Sequence, residues 1–382
     1  MGSTSPEKRK KPDVLMLVAT LFLVSLGTVM VYSSSSIVSL ERFGDEYFFL
    51  KKQILFVIIG IVVMMIMTKI PYLLWRKMAY AGILVSLGLL SLLLIPGLGV
   101  KVGGATRWLR VGGFSFQVTE LVKVALVIFL AHYLTKKNDH IREFFRIFPV
   151  PLFLTLAMVS LIILQPDFGT AVIMIILLMF MFYLAGSRIF HLAGFMAAFV
   201  PIAVTLVICE SYRVQRLLSF RNPWDDPTRS GFQIIQSFIS FGSGGAFGVG
   251  LGDSMQKLFY LPEAHTDFIL SVIAEEVGFI GVAVVIVLFA LLIIRGFMIS
   301  FHTTDLFGTL LSAGLTIIIA IEAFINMAAV MGLAPTKGLA LPFLSYGGTS
   351  LIMSMIAVGI VLNISSYDNR SAKRGAVEAF ER

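Results

Sequence analysis

Stretches of about 20 uncharged, apolar residues recur along this chain, the length an α-helix needs to cross a hydrocarbon core about 30 Å thick. Ten such runs can be drawn, over residues 14–33, 53–69, 77–96, 118–135, 147–164, 169–186, 189–209, 267–295, 306–332 and 349–366. Lipid offers no water to bond backbone N–H and C=O groups, so runs of this kind must close their hydrogen bonds internally, as helices do. The expected fold class is all-α: a polytopic integral membrane protein with about ten transmembrane helices and one long extracellular loop over about 210–266.

Composition leaves little room for another class. Of 382 residues, 58% are hydrophobic and 14% charged, with a mean hydropathy of +0.93, more apolar surface than a soluble domain of this size can cover. The single cysteine, Cys209, excludes an intrachain disulfide framework and a cysteine-based zinc site. The basic segment "MGSTSPEKRKKP" leads into a full-length apolar run without a small-residue cleavage site, so that run reads as a retained first helix.

Lys and Arg in the short connections set the orientation. "EKRKK", Lys69, Arg76, Lys77, "KKNDHIREFFR", Arg188, Arg295 and the tail with Arg370, Lys373 and Arg374 fall on one side, which is expected to be cytoplasmic. An even number of spans puts both termini there. The net charge of +8 thus sits beside membrane spans, where anionic headgroups account for it, and nucleic acid is not an expected partner. One loop does not conform: Lys101, Arg107 and Arg110 lie outside with no acid to balance them.

Charge inside a span costs on the order of 2.5–3.5 kcal/mol at a helix centre, so such residues point to function. In "FQVTELVKVALVIF", Glu120 and Lys123 are three apart and share a helix face. Either they neutralise one another at the outer interface, or Glu120 holds Lys123 toward an anionic ligand. Thr119 is placed to cap that helix, whose N-terminal dipole also favours an anion. In "LPEAHTDFILSVIAEEVGFIG", Glu263, His265 and Asp267 crowd the start of the eighth span. Asp267 reads either as a capping acid or as a carboxylate of raised pKa suited to general base work. Glu275 and Glu276 follow about 12–14 Å deeper and, being adjacent, point about 100° apart. At least one is expected to face the bundle interior or a watery cavity.

Outside the spans, "ESYRVQRLLSFRNPWDDPTRSGFQ" gathers Arg213, Arg216, Arg221 and Arg229, and Lys257 follows. Singly these suit lipid headgroups; as a set with "GGATRWLR" they suit phosphate, which Arg holds bidentately and Lys as a point charge. Pro335, Pro342 and Gly338, Gly347 and Gly348 in "APTKGLALPFLSYGGTS" break helix repeatedly near membrane depth, where irregular backbone is tolerated in a cavity wall. Glu322 and Asn326 on the preceding helix suggest that this region is polar inside. The glycines of "FGSGGAFGVGLGD" match neither a dinucleotide nor a phosphate loop and read as a flexible re-entrant or hinge segment. Together these features describe an outward-facing, cation-lined cavity with an acid at its rim. With no nucleotide on that side, a group transfer there needs a substrate carrying its own leaving group, as a lipid-linked diphosphate sugar does.

"QKLFYLPEAHTDFILSVIAEEVGFIG", "YRVQRLLSFRNPWDDP", "QPDFGTA" and "PTKGLALPFLSYGGTS" closely resemble the SEDS family, the polytopic peptidoglycan polymerases of bacteria. The resemblance runs from about residue 13 to 366, leaving cytoplasmic tails at 1–12 and 367–382. "PTKG" is similar to the division-type branch; elongation-type and sporulation-type relatives stay open. The family pattern is not followed everywhere: Val118 and Thr119 replace a common Pro-Ser, Thr106 a common basic residue and Thr349 a common Ser.

The resemblance implies a glycosyltransferase that polymerises lipid II into glycan strands at the outer face of the bacterial cytoplasmic membrane, for the division septum. It implies Asp267 as the general base acting on the acceptor hydroxyl. Glu120, Lys123 and Lys257 carry over from family motifs, and Arg107, Arg213, Arg216, Arg221, His265, Glu276 and Ser345 join them as candidate substrate-binding residues. A divalent cation, Mg2+ or Mn2+, is implied with ligands unknown. Implied partners are lipid II and the nascent glycan chain, a class B penicillin-binding protein transpeptidase and divisome membrane proteins. A lipid II flippase and a non-catalytic divisome scaffold are the competing readings.

Overall fold

The computed structural model describes residues 11–102, 104–111, 114–228, 231–254 and 265–367. Helices α1 (Val14–Phe43), α2 (Phe48–Lys69) and α3 (Leu73–Leu92) lead into three short strands, β1 (Gly99–Val102), β2 (Ala105–Val111) and β3 (Phe114–Gln117). Then come α4 (Val118–Lys136), α5 (Phe144–Ile147), α6 (Pro149–Leu164), α7 (Phe168–Leu184), α8 (Ile189–Ile208), α9 (Ser211–Arg221), α10 (Phe232–Gly244), α11 (Ile269–Glu276), α12 (Gly278–His302), α13 (Leu306–Val330) and α14 (Gly348–Ser366). Eight of these are long and apolar enough to cross a membrane, and α6 and α7 are shorter apolar helices, which together match the ten runs read from the sequence.

Three features depart from that reading. Residues 99–117 add a small three-stranded antiparallel sheet, in the order β1-β2-β3, to the expected helical membrane fold. Arg107 sits on its central strand. Helix α1 runs to Phe43, ten residues past the expected end, and closes on Gly44 in the left-handed region (φ 69°), whose N–H donates to the Leu40 carbonyl. The run 267–295 is broken: α11 ends at Glu276, and Gly278, the first residue of α12, turns the chain at φ 75°.

The glycine-rich segment closes over this break. Val249 and Gly250 donate to the carbonyls of Glu275 and Glu276, while Phe279 and Ile280 donate to those of Gly245 and Ala246. Four backbone groups freed by the interruption are satisfied in this way. The approach is close enough that a Cβ on Gly248 would stand 2.2 Å from the Glu276 carbonyl oxygen.

The core lies among α4, α7, α13 and α14. Fifteen of the nineteen residues of α4 are buried, whereas α8 buries only Leu192, so α4 is a central post and α8 faces outward. Small residues admit the helices to one another: Gly60 and Gly359 leave room for Met355 and for the α2 backbone at Met64. At the opposite end from the sheet, Arg295 of α12 pairs with Asp13, the cap of α1, whose backbone N–H donates to Ser365 on α14 (3.0 Å).

Candidate active site

A cavity of about 290 Å³ opens among β2, α4, α9, α13, the turn at residues 265–268 and the connection between α13 and α14. Asp267 lies in its wall and is half-buried. Three consecutive backbone carbonyls fix the Asp267 turn. The Tyr346 N–H donates to His265 (2.9 Å), the Ser345 hydroxyl to Thr266 (2.6 Å), and the Asn326 amide to Asp267 itself (2.9 Å). The same Asn326 amide donates to the Leu339 carbonyl (2.6 Å), so one side chain ties the acid's backbone to the loop facing it. That loop comes close: Gly338 has φ 63°, and a Cβ there would stand 3.2 Å from Asp267 Oδ2.

Deeper in the same cavity lie Glu120 and Glu322. Lys123 Nζ is 2.8 Å from Glu120 Oε1 and also pairs with Glu322, while its side chain is almost completely buried. One buried lysine is thus shared by two carboxylates at this end. The helical spacing of Glu120 and Lys123 was legible; the third partner comes from α13, 199 positions away, and only the fold supplies it.

The other wall is cationic, with Arg107 from β2, Arg216 from α9 and Lys337 from the α13–α14 connection. Behind it stands Asp167, 1% exposed, the N-cap of α7. Its Oδ2 is 2.9 Å from Arg107 Nε and accepts the Thr170 hydroxyl (2.8 Å), while Oδ1 accepts the Thr170 N–H (3.2 Å). Arg216 donates to the Thr336 carbonyl (3.4 Å), next to Lys337. Burial pushes the Lys337 ammonium below the ordinary lysine value of 10.5, and Asp167 opposes that shift. Burial also raises the Tyr346 phenol.

Of the candidates read from the sequence, Asp267, Glu120, Arg107 and Arg216 line the cavity, with Lys123 behind Glu120. His265 and Ser345 act on the Asp267 turn; the His265 ring packs on Phe49 and Tyr346, with centroids 4.8 and 5.8 Å away. Arg213 faces elsewhere: it donates to the Leu206 carbonyl (2.6 Å) at the end of α8 and lies over the Phe168 ring. Arg221 is exposed outside the cavity lining. Glu276 is buried and accepts the Ser33 hydroxyl on both oxygens (2.6 and 2.7 Å), and Glu275 accepts that of Ser254, so the adjacent acids do face different partners. Lys257, Glu263 and Arg229 lie outside the described residues. Lys337, Asp167 and Gln233 were not singled out by sequence; Asp167 looks locally like an ordinary helix cap. Among the described residues no three His, Cys, Asp or Glu side chains converge on one point as a closed all-protein metal cage requires.

Comparison with known proteins gives one answer at three levels. The model of the FtsW, RodA and SpoVE cell cycle proteins matches residues 13–370. A protein of Trichlorobacter lovleyi named a probable peptidoglycan glycosyltransferase, FtsW, is 47% identical over 361 residues, covering 94% of this chain and 95% of its own. The stage V sporulation protein E of Bacillus subtilis is 42% identical over 360 residues, covering 94% and 98%. Among solved structures, a chain of a peptidoglycan synthase complex that coordinates polymerization and crosslinking superposes with a TM-score of 0.76 at 29% identity, covering 94% of this chain and 99% of that one. The fold, the motifs and these relatives agree, and the chain belongs to the FtsW, RodA and SpoVE family of cell cycle proteins.

Proposed function

We propose that this membrane protein is a peptidoglycan glycosyltransferase that lengthens glycan strands from lipid II at the outer face of the cytoplasmic membrane. The observation that carries the reading is a fixed carboxylate, Asp267, in a cavity with a cationic wall. A lipid-linked diphosphate sugar has a polyprenyl tail for the bilayer, a dianionic diphosphate for Arg107, Arg216 and Lys337, and a sugar for the acid.

In the reaction, Asp267 takes the proton from the acceptor GlcNAc 4-hydroxyl as that oxygen attacks the anomeric carbon of the growing chain. The bond from that carbon to the diphosphate breaks, and its electron pair leaves with the polyprenyl diphosphate. General base catalysis of this kind is worth about 10²–10⁴-fold. It demands a carboxylate held in place, and the bonds to the carbonyls of residues 265–267 supply that hold. The likeness to a chain from a synthase complex supports a transpeptidase of the penicillin-binding class as partner. The distribution of Lys and Arg supports cytoplasmic termini, and the similarity to FtsW supports work at the division septum.

Purified protein in liposomes with labelled lipid II tests this reading. Wild type should form polymer, and Asp267→Asn should bind the lipid yet lose at least about 10²-fold in rate. Transbilayer movement of lipid II without polymer would instead identify a flippase. Full complementation of a depletion strain by Asp267→Asn would identify a scaffold.

A further inference from the structure

The cationic wall has an asymmetry that the reaction does not explain by itself. Asp167 is a fully buried carboxylate, and burying a charge is costly unless it is paired and hydrogen-bonded. Thr170 would suffice to make it a helix cap. Its Oδ2 is nevertheless also turned to Arg107 Nε, on a strand from a different part of the chain. The guanidinium is thereby ion-paired on its Nε side, although the Nε–H itself makes no hydrogen bond among the described residues, and Arg107 lines the cavity.

Lys337 approaches the same acid from the α13–α14 connection. Its side-chain carbons pass beside Gly169, where a Cβ would stand 3.7 Å from Lys337 Cδ and 3.8 Å from Asp167 Oδ1. The stem therefore runs along the first turn of α7, toward Asp167, and the residue borders the cavity. Three cations, Arg107, Arg216 and Lys337, share this wall with one buried carboxylate behind it, a surplus of two positive charges. Lys337 also immediately precedes Gly338, the residue against the Asp267 carboxylate. One loop thus carries a cation and seats the acid, and both residues line the same cavity.

We propose that Lys337 and Arg107 form the diphosphate subsite of this cavity and that Asp167 is the positioning residue that aims both cations into it. The assignment rests on the glycosyltransferase reading above. The sugar-bearing polyprenyl diphosphate, a diester, carries two negative charges, which the surplus on this wall balances when Arg216 is counted with the subsite. When the anomeric C–O bond breaks, the departing oxygen takes the electron pair and the diphosphate gains a third charge, so cations fixed beforehand stabilise the leaving group as it forms. Lys337 contributes as a point charge and Arg107 through the edge of its guanidinium left open by Asp167.

The full-length protein in nanodiscs tests the subsite with three probes of one chain length: a polyprenyl diphosphate, the matching monophosphate and the neutral polyprenol. Lys337→Met should weaken diphosphate binding about 10- to 100-fold, the range of a lost charge-assisted contact, and leave polyprenol binding unchanged. Lys337→Arg should recover most of that loss. Asp167→Asn keeps oxygen and amide in place for the cap but removes the charge, and should reduce the preference for diphosphate over monophosphate. In turnover it should raise KM more than it lowers kcat. Unchanged diphosphate binding in both Lys337→Met and Asp167→Asn overturns the proposal. So does an equal loss for all three probes accompanied by a lower melting temperature, the mark of a purely structural role. Polymerisation by wild type in the same nanodiscs separates the two layers. Polymer with no effect of Lys337→Met defeats the subsite and leaves the enzyme reading. Lys337-dependent diphosphate binding without polymer defeats the enzyme reading and leaves the subsite.

Discussion

Asn326 has two amide protons, and both go to backbone carbonyls, those of Asp267 and Leu339. A side chain in this role contributes geometry more than charge. Asn326→Leu leaves both carbonyls without this donor inside a buried site, at a cost of about 1–3 kcal/mol each if nothing replaces it. Expected is a stably inserted protein with polymerisation reduced at least about tenfold, read in the liposome assay. Gly338 is a sharper case. Alanine there meets a left-handed φ of 63° and a carboxylate oxygen at 3.2 Å, so Gly338→Ala should displace Asp267 and lower kcat with little change in lipid binding. Lys123 tests a different kind of bond. Removing it leaves Glu120 and Glu322 facing one another without their shared cation, so Lys123→Met should destabilise by about 3–5 kcal/mol. Adding Glu322→Gln should recover part of that loss in a thermal melt.

Lys337 also gives the site a pH dependence. Burial lowers its pKa below 10.5, Asp167 from α7 opposes that shift, and the charged residues that line the same cavity are Arg107, Arg216, Glu120, Glu322 and Asp267. A bound diphosphate favours the ammonium and raises that pKa again, so binding and proton uptake are linked. Diphosphate affinity should therefore be highest where Lys337 is protonated in the free protein and should fall as pH rises toward 10.5. Lys337→Arg, charged throughout, should flatten the alkaline limb measured in nanodiscs.

At the scale of elements, the break between α11 and α12 decides where the acid sits. Asp267 stands two residues before α11, and α11 is held at both ends: by the clamped carbonyls of residues 265–267 and by the glycine clasp at 275–280. Between them Ser271 shares a hydrogen bond of 2.7 Å with Ser237 of α10, which also donates to the Val330 carbonyl at the end of α13 (2.6 Å). Gly248→Ala puts a methyl 2.2 Å from the Glu276 carbonyl at a φ of 80° and should lower both melting temperature and activity; Gly242→Ala, with open space around it, should do neither. The sequence announced the helices of this region but not the break. Hydropathy is averaged over a whole span, and a single glycine inside an apolar run, such as Gly278, is ambiguous by itself. The same averaging hid the sheet. "ATRWLRV" does not alternate cleanly, since Arg107 shares a strand face with Ala105, Leu109 and Val111, and its pairing with "GVKV" and "FSFQ" is a tertiary fact.

For the whole molecule, the membrane fold was almost entirely legible, because lipid permits so few structures that length and polarity decide the answer. The site was legible in part. Asp267, Glu120 and Lys123 announce themselves as charges in or beside apolar runs, and the outside basic residues by opposing the usual bias. Glu276 announced itself the same way but serves a contact with Ser33 on α1. Orientation has its own test. Cys209, the only cysteine and an exposed one, ends α8 on the side expected to face outward. A membrane-impermeant maleimide applied to intact spheroplasts should label it, and labelling confined to inverted vesicles would reverse the topology.

The central claim is that the Asp267 carboxylate removes a proton from a lipid-borne sugar. The most direct test is the rate of glycan formation from labelled lipid II by wild type and Asp267→Asn in the same liposomes, with lipid binding measured in parallel. The account expects long glycan strands from wild type and, for the variant, intact lipid binding with synthesis down at least about 10²-fold. Strand formation by Asp267→Asn at the wild-type rate would contradict it.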